Sequence, residues 1–182
     1  MKKVLLFSLL FFISTLVVAA YETIIIKFPD KELWVKTYYK KIGNEAILQY
    51  APKGQNSNFW NKTVVIHSYK HSTYPINVFL SNNTARLMKV NPTANYKTLR
   101  LTPEDAIVGR CTQNYNKIEA QCEFYRVVRG YEGIVTIHYM NKDKDDFIAN
   151  YNQWYNIVKK AKLYNSYYRD ERILNKAEYF EL

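Results

Sequence analysis

Glycine and proline are scarce in this chain, at five each in 182 residues, so collagen-like, linker-like and low-complexity architectures are excluded. There are only three histidines and two cysteines, too few for a zinc ribbon or a disulfide-dense scaffold. Acid is short too: 16 Asp and Glu stand against 26 Lys and Arg. The nucleophile patterns Gly-x-Ser-x-Gly and Ser-x-x-Lys do not occur, and neither does a His-Glu-x-x-His helix or a phosphate-cradling glycine loop. After residue 20 no apolar run reaches membrane-spanning length.

The apolar run that does exist is at the start. Met1-Lys2-Lys3 places positive charge ahead of Val4 to Val18, and small residues at Ala19-Ala20 precede polar Tyr21-Glu22. A basic head, an apolar stretch and a small-residue cut site form an export signal, so the expected mature chain begins at Tyr21. An uncleaved anchor is the competing reading, because Val4 to Ala20 lies at the lower edge of spanning length. Cleavage leaves 162 residues and, with Lys2 and Lys3 gone, a charge of +8 in place of +10. That length suits one domain, residues 21–182, burying about 70% of the unfolded chain's surface. The expected location is periplasmic or secreted.

A basic exported protein is drawn to anionic surfaces such as lipid head groups or acidic polysaccharide, so contact with membrane is at most peripheral and nucleic acid is not an expected partner. The basic groups at Lys36 to Lys41, Arg126 to Arg129 and Lys159 to Lys162 are broken by apolar or aromatic positions, and a solvated face is the commoner meaning of such groups. Seventeen tyrosines suit half-exposed sheet faces or a binding surface, since the ring packs while the hydroxyl reaches water. A base-composition bias toward Tyr, Asn, Lys and Ile codons explains them equally well.

Cys111 and Cys122 fall in a hairpin pattern, with strands over Ala106 to Thr112 and Ile118 to Val128 and a connection at 113–117. A turn centred between Asn116 and Lys117 sets the two cysteines opposite each other. In an oxidising compartment they are expected to pair, and closing so short a loop contributes about 2 to 3 kcal/mol.

Earlier in the chain a strand-like lead over Tyr21 to Lys31 precedes a hairpin of Trp34 to Lys40 and Ala46 to Tyr50, turned at Ile42-Gly43-Asn44. A loop over Pro52 to Asn58 follows, with Trp60 expected to anchor it to the core before a strand over Thr63 to Tyr69. Pro75 opens a helix with Ile76, Phe79, Leu80, Leu87 and Val90 on one stripe, and Asn91-Pro92 ends it. Further strands are expected over Tyr96 to Leu101 and Ile134 to Met140. Asp143 or Asp145 caps one long C-terminal helix whose stripe is Phe147, Tyr151, Trp154, Val158 and Ala161. The tail from residue 162 is expected to dock or to form a short helix. Strands grouped around two helices, without βαβ alternation, predict an α+β fold with a mainly antiparallel sheet.

His67 and His71 are four apart but straddle a strand end, so the helical spacing of a metal pair is missing, and His138 lies in a strand. Asp143-Lys144-Asp145-Asp146 lacks the glycine and distal glutamate of a calcium loop and reads as a helix cap. No cofactor and no metal site is expected. Glu45, Glu104, Glu119, Glu123 and Glu132 are the carboxylates from which a hydrolytic acid and base would be drawn.

The stretch Ile47-Leu48-Gln49-Tyr50-Ala51-Pro52-Lys53-Gly54-Gln55, followed by Asn58-Phe59-Trp60, resembles a segment of small uncharacterised exported proteins of Gram-negative bacteria. The resemblance implies location and no activity. The element order is similar to the photosystem accessory-protein and Ran-binding folds (PsbP and Mog1-like), which implies an antiparallel sheet flanked by helices and nothing about function. The leading expectation is a binding or scaffolding domain, without catalysis, that meets an envelope protein or anionic surface through Tyr38, Tyr39, Lys40 and Lys41 beside Lys53, Gly54 and Trp60. A small exported hydrolase using carboxylate acid and base chemistry is the second expectation. A subunit of an envelope assembly, docking through the strand at Ile24 to Ile26 or through the tail, is the third.

Overall fold

The computed structural model describes residues 22–29 and 31–165. The expected leader, residues 1–20, and the tail end Tyr167 to Leu182 lie outside these described residues. Nine strands and three helices follow in order: β1 (Glu22–Ile25), β2 (Trp34–Ile42), β3 (Glu45–Pro52), β4 (Lys62–Lys70), α1 (Ile76–Val90), β5 (Asn95–Leu101), β6 (Asp105–Thr112), β7 (Gln121–Arg129), β8 (Gly133–Asn141), α2 (Lys144–Ala149), α3 (Tyr151–Lys160) and β9 (Lys162–Asn165). Seven strands form one antiparallel sheet in the order β2-β3-β4-β8-β7-β6-β5, and β1 pairs with β9 in a separate ribbon. The fold is α+β, as the grouping of strands predicts.

Period-two alternation decides what each face of the large sheet carries. One face sends Leu48, Tyr50, Val64, Ile66, Phe124, Val135, Ile137 and Tyr139 into a core closed by Phe147, Trp154 and Val158. Aromatic rings bind this layer: Trp154 stacks on Tyr139 with centroids 3.7 Å apart, Trp34 meets Trp154 edge-on at 5.2 Å, and Phe28 stacks on Trp34 at 4.9 Å. Each such side chain contributes about 1.5 to 3 kcal/mol by leaving water. The opposite face is smaller. There Ile76 and Leu80 of α1 cover Ala106, Val108, Tyr125, Val127 and Ile134.

The expected C-terminal helix is two helices. Asp143 Oδ1 caps α2 by accepting from the N–H groups of Asp145 and Asp146, both at 3.0 Å. Asn150 then breaks the run, because its Nδ2 donates back to the Asp146 carbonyl at 3.0 Å and its backbone leaves helical geometry (φ −106°, ψ 13°). The apolar stripe nevertheless continues across the break, with Phe147, Trp154 and Val158 all buried.

Three further differences have local causes. Arg126, read as part of a solvated basic group, is mostly buried: Nε donates to Asp105 Oδ1 at 2.9 Å, and Nη1 donates to the carbonyls of Val158 and Ala161, both at 2.8 Å. It satisfies the carbonyl end of α3, where a cation also suits the helix dipole. Trp60 does not anchor its loop in the core. It is half-buried beneath Lys142 Nζ, 4.5 Å from the ring centroid, while Trp34 and Trp154 fill the core. The start of the tail forms strand β9 against β1, with Ile24 opposite Leu163, and the Ile24 side chain is buried. The second cysteine strand starts at Gln121, because Tyr115 and Ile118 bridge within the connection and Asn116 adopts positive φ (52°).

The cysteine expectation holds. Cys111 and Cys122 are direct cross-strand partners, Cα atoms 4.1 Å apart, and are joined in a disulfide. Among the described residues no helix is long and apolar enough to cross a membrane.

Candidate functional site

Tyr38, Tyr39, Lys40 and Lys41 are all exposed on β2, the outermost strand of the sheet. The β2–β3 turn places them: Gly43 takes φ +55° at the first turn position, where a side chain would be strained, and Ile42 pairs with Glu45 to set the register. Lys53, Gly54 and Trp60 lie at the other end of the same hairpin, where Trp34 pairs with Pro52 and the Lys53 N–H donates to the Leu33 carbonyl at 2.7 Å. Lys40 faces Ile47, so six residue steps along β3, about 20 Å, separate it from Lys53. The structure therefore does not gather the seven residues into one surface. The distant loop is tied to itself: Asn56 Oδ1 accepts from the N–H groups of Asn58 and Phe59, and Gln55 Oε1 from that of Asn61. It presents Phe59, 77% exposed, at its tip.

A second constellation lies on the α1 side of the sheet, where composition alone gave no signal. Arg110 Nε sits 2.8 Å from Glu123 Oε1, and its Nη1 donates to Asn83 Oδ1 at 2.9 Å. His138 Nδ1 is 3.1 Å from Glu123 Oε2, and the Arg110 guanidinium lies 4.4 Å from the Tyr125 ring centroid. One strand further on, His67 Nε2 meets Glu45 Oε2 at 3.0 Å and its ring stacks on Tyr69 at 3.9 Å. Asn83 is the residue through which α1 reaches this network.

Burial and pairing set the charges. Burial alone would raise the Glu123 carboxyl, but the His138 hydrogen bond and the Arg110 charge hold it below its ordinary value. Burial outweighs Glu123 at His138 and outweighs Glu45 at His67, so both imidazoles are pushed below the ordinary histidine value. Tyr69, desolvated, is pushed up to about 12. At neutral pH the unit is therefore an Arg110–Glu123 ion pair with a neutral His138 donating from Nδ1, the orientation a general base requires. Among the described residues no three metal-ligating side chains gather.

A cavity of about 210 Å³ opens beside the β2–β3 turn, lined by Glu22, Lys41, Glu45, Lys70, His71 and Glu132 among others. Glu22 is only 4% exposed and accepts from the Tyr131 N–H, its carboxylate lying where a side chain at position 130 would have to go. Lys70 Nζ meets Glu132 Oε2 at 3.1 Å. The cavity thus holds three carboxylates, and neither Glu22 nor His71 belongs to any sequence pattern that marks a site.

The chain matches no known family, curated protein or solved structure. Its function has to be argued from this geometry.

Proposed function

We propose that the chain is an exported, non-catalytic binding or scaffolding domain that meets an anionic partner at the bacterial envelope or outside the cell. The observation that carries the reading is β2: a sheet-edge strand exposing Tyr38, Tyr39, Lys40 and Lys41, with no acidic residue between Trp34 and Ile42. Half-exposed rings and exposed lysines form a surface able to bind without a deep pocket. The disulfide fits an oxidising compartment. Because the loop with Lys53 lies at the far end of the hairpin, the two regions are separable by mutation. Lys40→Glu with Lys41→Glu should weaken binding to anionic vesicles or envelope extract, while Lys53→Glu should leave most of it. Binding unchanged across both variants and a salt series would remove the reading.

A small exported hydrolase is the second reading, and the cavity holding Glu22, Glu45 and Glu132 favours it. A carboxylate pair can divide acid and base roles when their surroundings set their affinities for protons apart. Glu45→Gln and Glu132→Gln should each abolish release of reducing ends from cell-wall polymer. Failure of the unmodified protein to release any disposes of this reading.

A further inference from the structure

Among the described residues only β3 pairs with β2, so along nine residues every second N–H and C=O group points away from the sheet without a ladder partner. The opposite edge, β5, has seven residues and carries two basic ones, Lys97 and Arg100. Charge and length therefore favour β2, which carries Lys36, Lys40 and Lys41.

The order Tyr38-Tyr39-Lys40-Lys41 adds a pattern. Successive strand residues face opposite sides, and the register sets Tyr38 and Lys40 beside Gln49 and Ile47, on the face that α1 partly covers. Tyr39 and Lys41 stand beside Leu48 and Ala46, on the face of α2 and α3. Each face of the edge thus offers one ring and then one ammonium. The geometry points to strand addition on β2 by an extended acidic polypeptide segment, antiparallel like the rest of the sheet, with two acidic residues followed by two apolar ones. On both faces a carboxylate then meets a lysine and an apolar side chain meets a tyrosine.

This inference rests on the binding reading above and names its occupant. Lysine charge selects acid, and the free ladder selects an extended main chain over a lipid head group, which would use the lysines and leave the N–H and C=O groups idle. Edge lysines also guard against edge-to-edge association, a role that predicts no dependence on the order of residues in a partner.

Four probes test it against the full exported protein: a labelled eight-residue peptide with a Glu-Glu-Val-Val core, a peptide of equal composition with strict Glu-Val alternation, the first peptide N-methylated on alternate amides, and phosphatidylglycerol vesicles. The first peptide should bind saturably, and the other two about tenfold more weakly or less. Lys40→Glu with Lys41→Glu should cost about tenfold, whereas Lys97→Glu on β5 should change binding by less than about twofold. Equal binding of all three peptides overturns strand addition in favour of bare electrostatics. Salt-dependent vesicle binding without peptide binding overturns it too, leaving the binding function in place. If neither peptides, vesicles nor envelope extract bind, both readings fall.

Discussion

The two faces of the large sheet are built from different materials. Under α2 and α3 the strands contribute rings and branched aliphatics, closed by the stack of Tyr139, Trp154, Trp34 and Phe28. Under α1 the same strands contribute Arg110, Glu123 and His138 beside a smaller apolar patch. A dry aromatic layer gains stability without direction, because transfer from water scales with area. An ionic layer gains little net stability over apolar replacements but penalises any arrangement that leaves one of its members unpaired. The comparison therefore assigns stability mainly to one face and geometric definition to the other.

Substitutions can break that assignment. Trp154→Ala should give the largest loss, about 3 to 5 kcal/mol, as a cavity opens between Tyr139 and Trp34. Urea titration reads it, and a loss below about 1 kcal/mol would contradict the division. Arg110→Met should cost about 3 kcal/mol by stranding Glu123. Adding Glu123→Gln should return most of that loss, and a double-mutant cycle without recovery would mean that the pair itself stabilises the fold. Replacing Cys111 and Cys122 by alanine should cost about 2 to 3 kcal/mol and leave the fold intact, as thermal melting can show.

The smallest effect is a slope. His138 and His67 titrate below the ordinary histidine value in the folded state, so the unfolded chain takes up protons first as pH falls through about 6.5. Their contribution is present above that pH and is lost toward the folded values. Glu123, also depressed, adds a loss that begins as pH falls through the ordinary carboxyl range of the unfolded chain and continues to its lower folded value. Stability should therefore fall from pH 7 to pH 5, and His138→Gln should make that fall shallower. An unchanged slope would show that the ionic face does not govern acid sensitivity.

The aromatic face was legible in the sequence, and the ionic one was not. Trp154, Phe147 and Val158 announce themselves by helical spacing, and Leu48 and Tyr50 by strand alternation, because apolar periodicity is a local signal. The cysteine pair was legible for the same reason, since both residues sit near one turn. Glu123 and His138 are 15 residues apart, and Asn83 and Arg110 are 27 apart. The exact register of neighbouring strands brings Glu123 to Arg110 and His138, and the packing of α1 brings Asn83, and neither follows from an apolar period. On β2 the residues named from the sequence are exposed, but the hairpin's length, which carries Lys53 away from Lys40, depends on register and not on composition. Asn150 shows the remaining limit, since one side chain turning back on its own helix leaves the stripe intact and still divides the element.

The β1–β9 ribbon has a mechanical consequence. Glu22 pairs with Asn165, so the first and last of the described residues lie side by side. Tension applied between those two positions would open the ribbon one rung at a time, from Glu22 and Asn165 inward to Ile25 and Lys162, and its first step would draw Glu22 away from the Tyr131 N–H between β7 and β8.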